Sequence, residues 1–202
     1  MNSTGSAAGI ILAAGASARF APFKAAALIR GKPLLHHCLK GLRGVCSQLI
    51  VVGGNSIDAL RPLLEIDDFG PVELVENAGW AGGMFTSVKA GIRRVRDEAA
   101  FVLPVDCPLV PPGVFRRLLE APGPAVVPAF QGRRGHPVLV RRQLFCRILE
   151  EPDGSSLRDL LACCGVVELS VDAREVLLDI DTPEDLAGLD GASTPKDIDP
   201  GS

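Results

Sequence analysis

A short apolar run, Ile10 to Ala14, breaks at Gly15 into small residues, and two cations follow it at Arg19 and Lys24. Small side chains after a buried strand let backbone amides crowd a ligand. Cations just beyond supply counter-charge for a polyphosphate. Residues 9–24 therefore read as a polyphosphate site, a strand and loop with two solvated charges being the simpler account: Leu12, Ala13, Ala14, Gly15 and Ser17 are the candidates for contact with the ligand, and Arg19 and Lys24 are the catalytic candidates on its phosphates. Three other chemistries are excluded by spacing. The chain has no Gly-x-Gly, so the dinucleotide fingerprint is absent. Lys32 follows Gly31, but Ala26 and Pro33 stand where a P-loop needs Gly and Ser or Thr. Gly15-Ala16-Ser17-Ala18-Arg19 lacks the closing glycine of a nucleophile elbow.

Carboxylates supply a second constellation. Pro104-Val105-Asp106-Cys107-Pro108 ends an apolar strand in a stiff turn, and Asp179 and Asp181 alternate just before Thr182-Pro183-Glu184-Asp185. Residues two apart in an extended segment face the same side. Mg²⁺ is held by one or two carboxylates, with phosphates and water completing its octahedron. Asp106 and Asp181 are the metal candidates, Mn²⁺ being an alternative ion, and Asp179 is expected behind them. Zinc is not expected at His36-His37-Cys38, since neighbours in a helix point to different faces and no second cluster complements them.

Two glycine-broken loops remain. Asn77-Ala78-Gly79-Trp80-Ala81-Gly82-Gly83 runs into a helix, and Asn77, Gly82, Gly83 and Ser87 are candidates for nucleotide contact, Thr86 or Ser87 as a plain N-cap being the simpler account. Gly132-Arg133-Arg134-Gly135-His136-Pro137 pins two cations between glycines. Arg133, Arg134, Gly135 and His136 are the candidates for binding a phosphorylated acceptor. The simpler account is an exposed loop with solvated arginines. Asp153-Gly154-Ser155-Ser156 reads first as a helix N-terminus.

Together these segments resemble the nucleotidyltransferases that act as molybdenum-cofactor cytidylyl- and guanylyltransferases. The resemblance rests on Leu12-Ala13-Ala14-Gly15-x-Ser17-x-Arg19-(x)4-Lys24, the Asn77 to Ser87 loop, Asp106-x-Pro108, Gly132-x-x-Gly135-His136-Pro137 and Asp181-Thr182-Pro183-Glu184-Asp185-Leu186. One departure is Phe20-Ala21, where the family usually has Met-Gly. The resemblance implies metal roles for Asp106 and Asp181, and Mg²⁺-dependent transfer of NMP from an NTP to molybdopterin, with pyrophosphate leaving. A molybdenum enzyme is an expected downstream partner. Ala14 before the loop glycine and Gly135-His136-Pro137 resemble the cytidylyl branch, implying CTP over GTP. Sugar-1-phosphate nucleotidyl transfer and a non-catalytic carrier of nucleotide or cofactor remain as other readings.

These residues need a scaffold. Strand-like and helix-like segments alternate along the 202 residues, which predicts one α/β domain over 8–190 with a mostly parallel sheet and helices on both faces. The resemblance implies the Rossmann-like, nucleotide-diphospho-sugar transferase type. The first loop, Gly53-Gly54-Asn55 and Asp106 each follow a strand, so they can converge on one rim, where such folds bind ligands. Further strands are expected over 136–140 and 176–180, helices over 33–42 and 86–95, and flexible ends over 1–7 and 191–202. Net charge −3 argues against a nucleic-acid partner, and no apolar run reaches the length of a membrane span. The N-terminus lacks the basic start of a signal peptide, so the cytoplasm is expected. Six cysteines without Cys-x-x-Cys spacing are expected to be reduced core thiols.

Overall fold

The computed structural model describes residues 6–15, 23–66 and 69–190. Along the chain, β1 (Ala7–Ala13) leads to a small ribbon of β2 (Leu28–Ile29) and β3 (Lys32–Pro33), then to α1 (Leu34–Arg43). There follow β4 (Gln48–Gly53), α2 (Ile57–Glu65), β5 (Val72–Glu76), α3 (Met84–Ile92), β6 (Ala99–Pro104) and α4 (Pro112–Glu120). The last third comprises β7 (Ala125–Phe130), β8 (Arg133–Arg134), β9 (Val138–Arg141), α5 (Phe145–Glu150), α6 (Leu157–Ala162), β10 (Val166–Ser170) and α7 (Pro183–Asp190).

One sheet carries the order β10-β7-β9-β6-β1-β4-β5, with β8 hairpinned onto β7. Its strands are parallel except β9, which runs antiparallel to β6 and β7, and β8. This is the expected doubly wound α/β architecture. β1 is buried along its whole length and its side chains alternate between two cores. Ala7, Ile11 and Ala13 pack with Leu39, Leu42, Phe101 and Phe115. Ala8, Ile10 and Leu12 pack with Phe85, Val88 and Phe145 on the other side. A strand covered on both faces must be apolar at every position, which is why 7–14 reads as a continuous run. The chain winds outward from β1 through β4 and β5, then returns to lay β6 on the other edge of β1. That reversal opens a crevice beyond the carboxyl ends of β1 and β6.

Several expectations are corrected. Residues 176–180 form no strand: a 3₁₀ turn spans Arg174–Leu177, and the amides of Leu178 and Ile180 bond the carbonyls of Glu175 and Asp106. With those groups taken, no ladder can form. Pro33 lies in β3 and precedes α1 rather than opening its first turn. α3 begins at Met84 after Gly83 (φ +103°), so Thr86 and Ser87 lie inside the helix and are not its cap. The strand expected from His136 begins at Val138, and Arg133 and Arg134 are strand, not loop. All six cysteines are free, but Cys146 and Cys163 are exposed, because only Cys38 and Cys107 reach the core. Ala7 is already inside β1; residues 1–5 and 191–202 lie outside those described.

Gly91 sets how closely α3 approaches the sheet. A Cβ there would lie 2.5 Å from Ile10 Cγ2 and 3.3 Å from Val52 Cγ2. Helix propensity alone favours Ala over Gly by about 1 kcal/mol, whereas forcing a methyl into a packed core costs about 1–3 kcal/mol. Gly91→Ala is therefore expected to lower stability by up to about 2 kcal/mol in urea denaturation. A gain in stability would contradict this packing.

Candidate active site

The crevice brings together side chains from distant parts of the chain. The Lys24 ammonium follows the loop after β1 and lies 3.1 Å from Asp106 Oδ2 and 2.8 Å from Asp181 Oδ1. Each carboxylate is delivered by backbone bonds. Val105 N bonds Leu12 O at 3.1 Å and Cys107 N bonds Pro104 O at 3.1 Å, fixing the turn that presents Asp106. Ile180 N bonds Asp106 O at 3.0 Å, which lays the 179–181 segment across that turn. The start of α7 then sets Asp181. Asp185 Oδ2 accepts from the amides of Asp181 (2.9 Å) and Thr182 (2.8 Å), and Asp185 N bonds Thr182 Oγ1 at 3.3 Å. These bonds hold the Asp185 carboxyl below the usual carboxylate range.

Charge is concentrated here. Asp106, Cys107 and Asp179 place their polar atoms within 4.8 Å of one another. Burial, then the charges of Asp106 and Asp181, push the Asp179 carboxyl up to about 6. Burial opposes the charge on Lys24, but the hydrogen bonds and charges of Asp181 and Asp106 outweigh it and raise its pKa. Burial and Asp106 push the Cys107 thiol far up. The carboxylates of the cluster already draw in a cation, Lys24. That chemistry fits a hard divalent ion such as Mg²⁺ or Mn²⁺, which Asp106 and Asp181 could hold.

A cavity of about 580 Å³ opens on this cluster, lined by Leu12, Ala13, Ala14, Gly15, Lys24 and Asp106 with Trp80, Gly83 and Ser87 opposite. Gly54 makes the rim close: a Cβ there would lie 2.8 Å from Ala14 O and 2.9 Å from Trp80 Cβ. The loops after β1 and β4 therefore meet as their positions after strands suggest. Asn77 and Gly82 do not line this cavity. Asn77 is buried behind it, its Nδ2 donating to Thr86 Oγ1 (2.8 Å) and Ser87 Oγ (2.9 Å), its Oδ1 accepting from Gly79 N at 3.0 Å. Ser17 and Arg19 lie outside the described residues.

A second cavity, about 480 Å³, shares Leu12, Met84 and Pro104 with the first and is walled by Phe85, Val88 and Val138. Arg134, Gly135 and His136 line it; Arg133 does not. Successive strand residues point to opposite faces, so the paired arginines of β8 cannot both reach one ligand. Gly135 passes under Val176, where a Cβ would meet the carbonyl oxygen at 2.1 Å, and His136 N bonds that oxygen at 2.8 Å. Two residues here escape the sequence reading. Arg158 lines the second cavity, and buried Lys89 on α3 bonds Glu151 O at 2.8 Å and Asp153 Oδ1 at 2.7 Å. Neither has a local motif; only the helical phase that sets Val88 and Ile92 inward hinted that Lys89 lies near the core.

The first cavity thus lies at the switch point of a mostly parallel sheet, where folds of this kind bind ligands, with a lysine between two carboxylates on its wall. The description of the MobA-like NTP transferase domain matches residues 9–171, and the chain belongs to that family. It is 29% identical to the molybdenum cofactor cytidylyltransferase of Escherichia coli K12 over 87% of this chain and 91% of that protein. It is 30% identical to a probable molybdenum cofactor guanylyltransferase of Haloferax mediterranei over 95% of this chain and 90% of that one. Among solved structures it resembles Rv0371c of Mycobacterium tuberculosis H37Rv, with a TM-score of 0.79 at 26% identity, covering 93% of this chain and all of that one. A manganese complex of Rv0371c superposes with a TM-score of 0.73 at 25% identity, covering 91% and 97%. No helix among the described residues is long and apolar enough to cross a membrane.

Asn77 carries a prediction for the loop. Asn77→Ala removes the side-chain partner of Ser87 Oγ and of the Gly79 amide, while Thr86 Oγ1 keeps its bonds to Gly79 O and Gly83 O, and a buried unsatisfied group costs about 1–3 kcal/mol. Denaturant unfolding is expected to show a loss of at least about 1 kcal/mol. An unchanged midpoint would mean that the loop does not depend on this side chain.

Proposed function

We propose that this protein transfers a nucleoside monophosphate from an NTP, CTP in preference to GTP, to a phosphorylated acceptor of the molybdopterin type, releasing pyrophosphate. The observation that carries this reading is Lys24 between Asp106 and Asp181 on the wall of the first cavity. Membership of the MobA-like family and the names of the relatives support it.

The nucleotide lies in the first cavity, its base side against Ala13, Ala14 and Trp80, with Gly83 and Ser87 nearby. The sequence motif assigns Ser17 and Arg19 to the same nucleotide, with Arg19 and Lys24 on its β- and γ-phosphates. Asp106 and Asp181 would hold a divalent cation, which would supply charge neutralisation at the reacting phosphate. Lys24 bonds the same two carboxylates, and with a cation held there its ammonium would be available to the phosphates. An oxygen of the acceptor phosphate bonds the α-phosphorus, and the bond from that phosphorus to the α–β bridging oxygen breaks. The electron pair leaves with pyrophosphate. A phosphate nucleophile is already ionised at neutral pH, so no general base is required and the side chains chiefly position and neutralise. The apolar walls of the second cavity suit a flat ring better than a hydroxyl-rich sugar, which favours this acceptor over a sugar phosphate.

The choice of base rests on Ala14, whose methyl is buried in the cavity wall. One methyl in a pocket is worth about 1–3 kcal/mol, or roughly 10–200-fold. With a molybdopterin acceptor, kcat/KM is expected to be higher for CTP than for GTP, and Ala14→Gly should narrow the gap. Equal or better use of GTP by the unmodified protein would overturn the assignment of the base.

The charged groups carry the second test. Lys24→Ala is expected to slow pyrophosphate release by about 10²-fold or more, the usual loss for one transition-state donor. Asp106→Asn should abolish it while the thermal midpoint moves little. Full activity in either variant, or an Asp106→Asn protein that is simply unfolded, would show that the cluster is structural.

A further inference from the structure

The second cavity is chemically unlike the first. On the wall of the first, Lys24 lies between Asp106 and Asp181, and Asp179 is close to Asp106. The second has apolar walls and two arginines, and those arginines differ in state. Arg134 is committed: its Nε lies 2.8 Å and its Nη2 2.6 Å from Glu168 Oε1 across the neighbouring strand. Arg158, on the first turn of α6, lines the cavity and has no hydrogen-bond or ion-pair partner among the described residues. The cavity wall also contains a buried ring nitrogen with no partner, His136 Nδ1. A buried polar atom without a partner costs free energy unless a ligand or water completes it. Burial lowers the pKa of His136, so its ring is neutral at pH 7.

The loop that carries Arg158 is fixed from behind. Lys89 is almost fully buried (side chain 9% exposed) and bonds both Glu151 O and Asp153 Oδ1. Its helix, α3, also presents Ser87 to the first cavity and Phe85 and Val88 to the second. Ser156 caps α6 by accepting from Asp159 N at 3.1 Å, so the position of Arg158 follows from that of the loop. One helix thus sets the nucleotide wall and, through Lys89, the arginine on the far side of the acceptor space.

We propose that Arg158, and not Arg133 or Arg134, is the cation that binds the anionic group of the acceptor, a flat heterocycle seated on the apolar walls with a ring hydrogen bond to His136 Nδ1, and that Lys89 is its positioning residue. This inference rests on the proposed transfer reaction only for the identity of the acceptor. A charge-assisted hydrogen bond is worth about 1.5–3 kcal/mol, which corresponds to roughly 10–150-fold in affinity. Arg158 is exposed, so its replacement is not expected to disturb the fold.

The test is equilibrium binding of molybdopterin, and of the same pterin without its phosphate, to the intact protein in the absence of CTP. Arg158→Ala should weaken molybdopterin at least tenfold and leave the dephosphorylated pterin within about twofold, with Arg158→Lys recovering part of the loss. Arg133→Ala should change neither ligand, and CTP affinity should be the same in all variants. Asp153→Ala, which loosens the loop at an exposed site, should weaken molybdopterin without altering CTP binding. Unchanged molybdopterin affinity in Arg158→Ala, equal loss for both pterins, or no binding by the unmodified protein would each overturn the inference. A protein that binds molybdopterin in this Arg158-dependent way but releases no pyrophosphate would leave this inference standing while the transfer reading fails.

Discussion

The Lys24 ammonium between Asp106 and Asp181 is the contact on which the rest of the site depends. Three carboxylates come from two places in the chain that are more than 70 residues apart, and they repel one another unless a cation lies among them. Two unit charges 4 Å apart interact by about 4 kcal/mol at an effective dielectric of 20. One ammonium on two carboxylates thus offsets the cost of gathering them. Partial exposure reduces that figure, since the Asp181 side chain is 56% accessible. Under the proposed reaction the same pair would hold a more highly charged ion, and carboxylates already drawn together around a monovalent cation would need little rearrangement to do so.

Around that contact the fold divides the work between its two faces. β1 is the shared element: one side of it packs against α1 and α4, the other against α3 and α5, and its end runs into the wall of the first cavity. Packing this tight leaves little room for the strand to shift, so the loop and the Asp106 turn keep one register through the Val105–Leu12 bond. α3 links the two cavities directly. Small residues mark the places where backbones or helices touch, Gly91 against Ile10 and Gly54 against Ala14 and Trp80.

What could be read in the sequence was what is encoded locally. The run from Ile10 to Ala14 and the stiff turn at Asp106 each depend on neighbours within a few residues, and each forms as expected. The segment 176–180 was misleading because its apolar residues look like a strand. Their burial comes instead from packing under the sheet while the backbone bonds serve His136 and Asp106. Arg133 and Arg134 suggested a clamp by adjacency alone; in a strand, adjacent side chains diverge. Lys89 and Arg158 were silent for the opposite reason. Their surroundings are made by contacts across about 60 residues, and no spacing rule records such contacts.

The most direct measurement follows a label. CTP carrying radioactive phosphorus at its α-phosphate, incubated with the protein, Mg²⁺ and molybdopterin, should deliver that label to the pterin with one pyrophosphate released for each label transferred. Removal of Mg²⁺ with a chelator should stop both products together, and readdition should restore them. Labelled free CMP without labelled pterin would contradict transfer to this acceptor. Binding of CTP and molybdopterin with neither product formed would contradict the central claim, that Lys24, Asp106 and Asp181 make a site for nucleotidyl transfer.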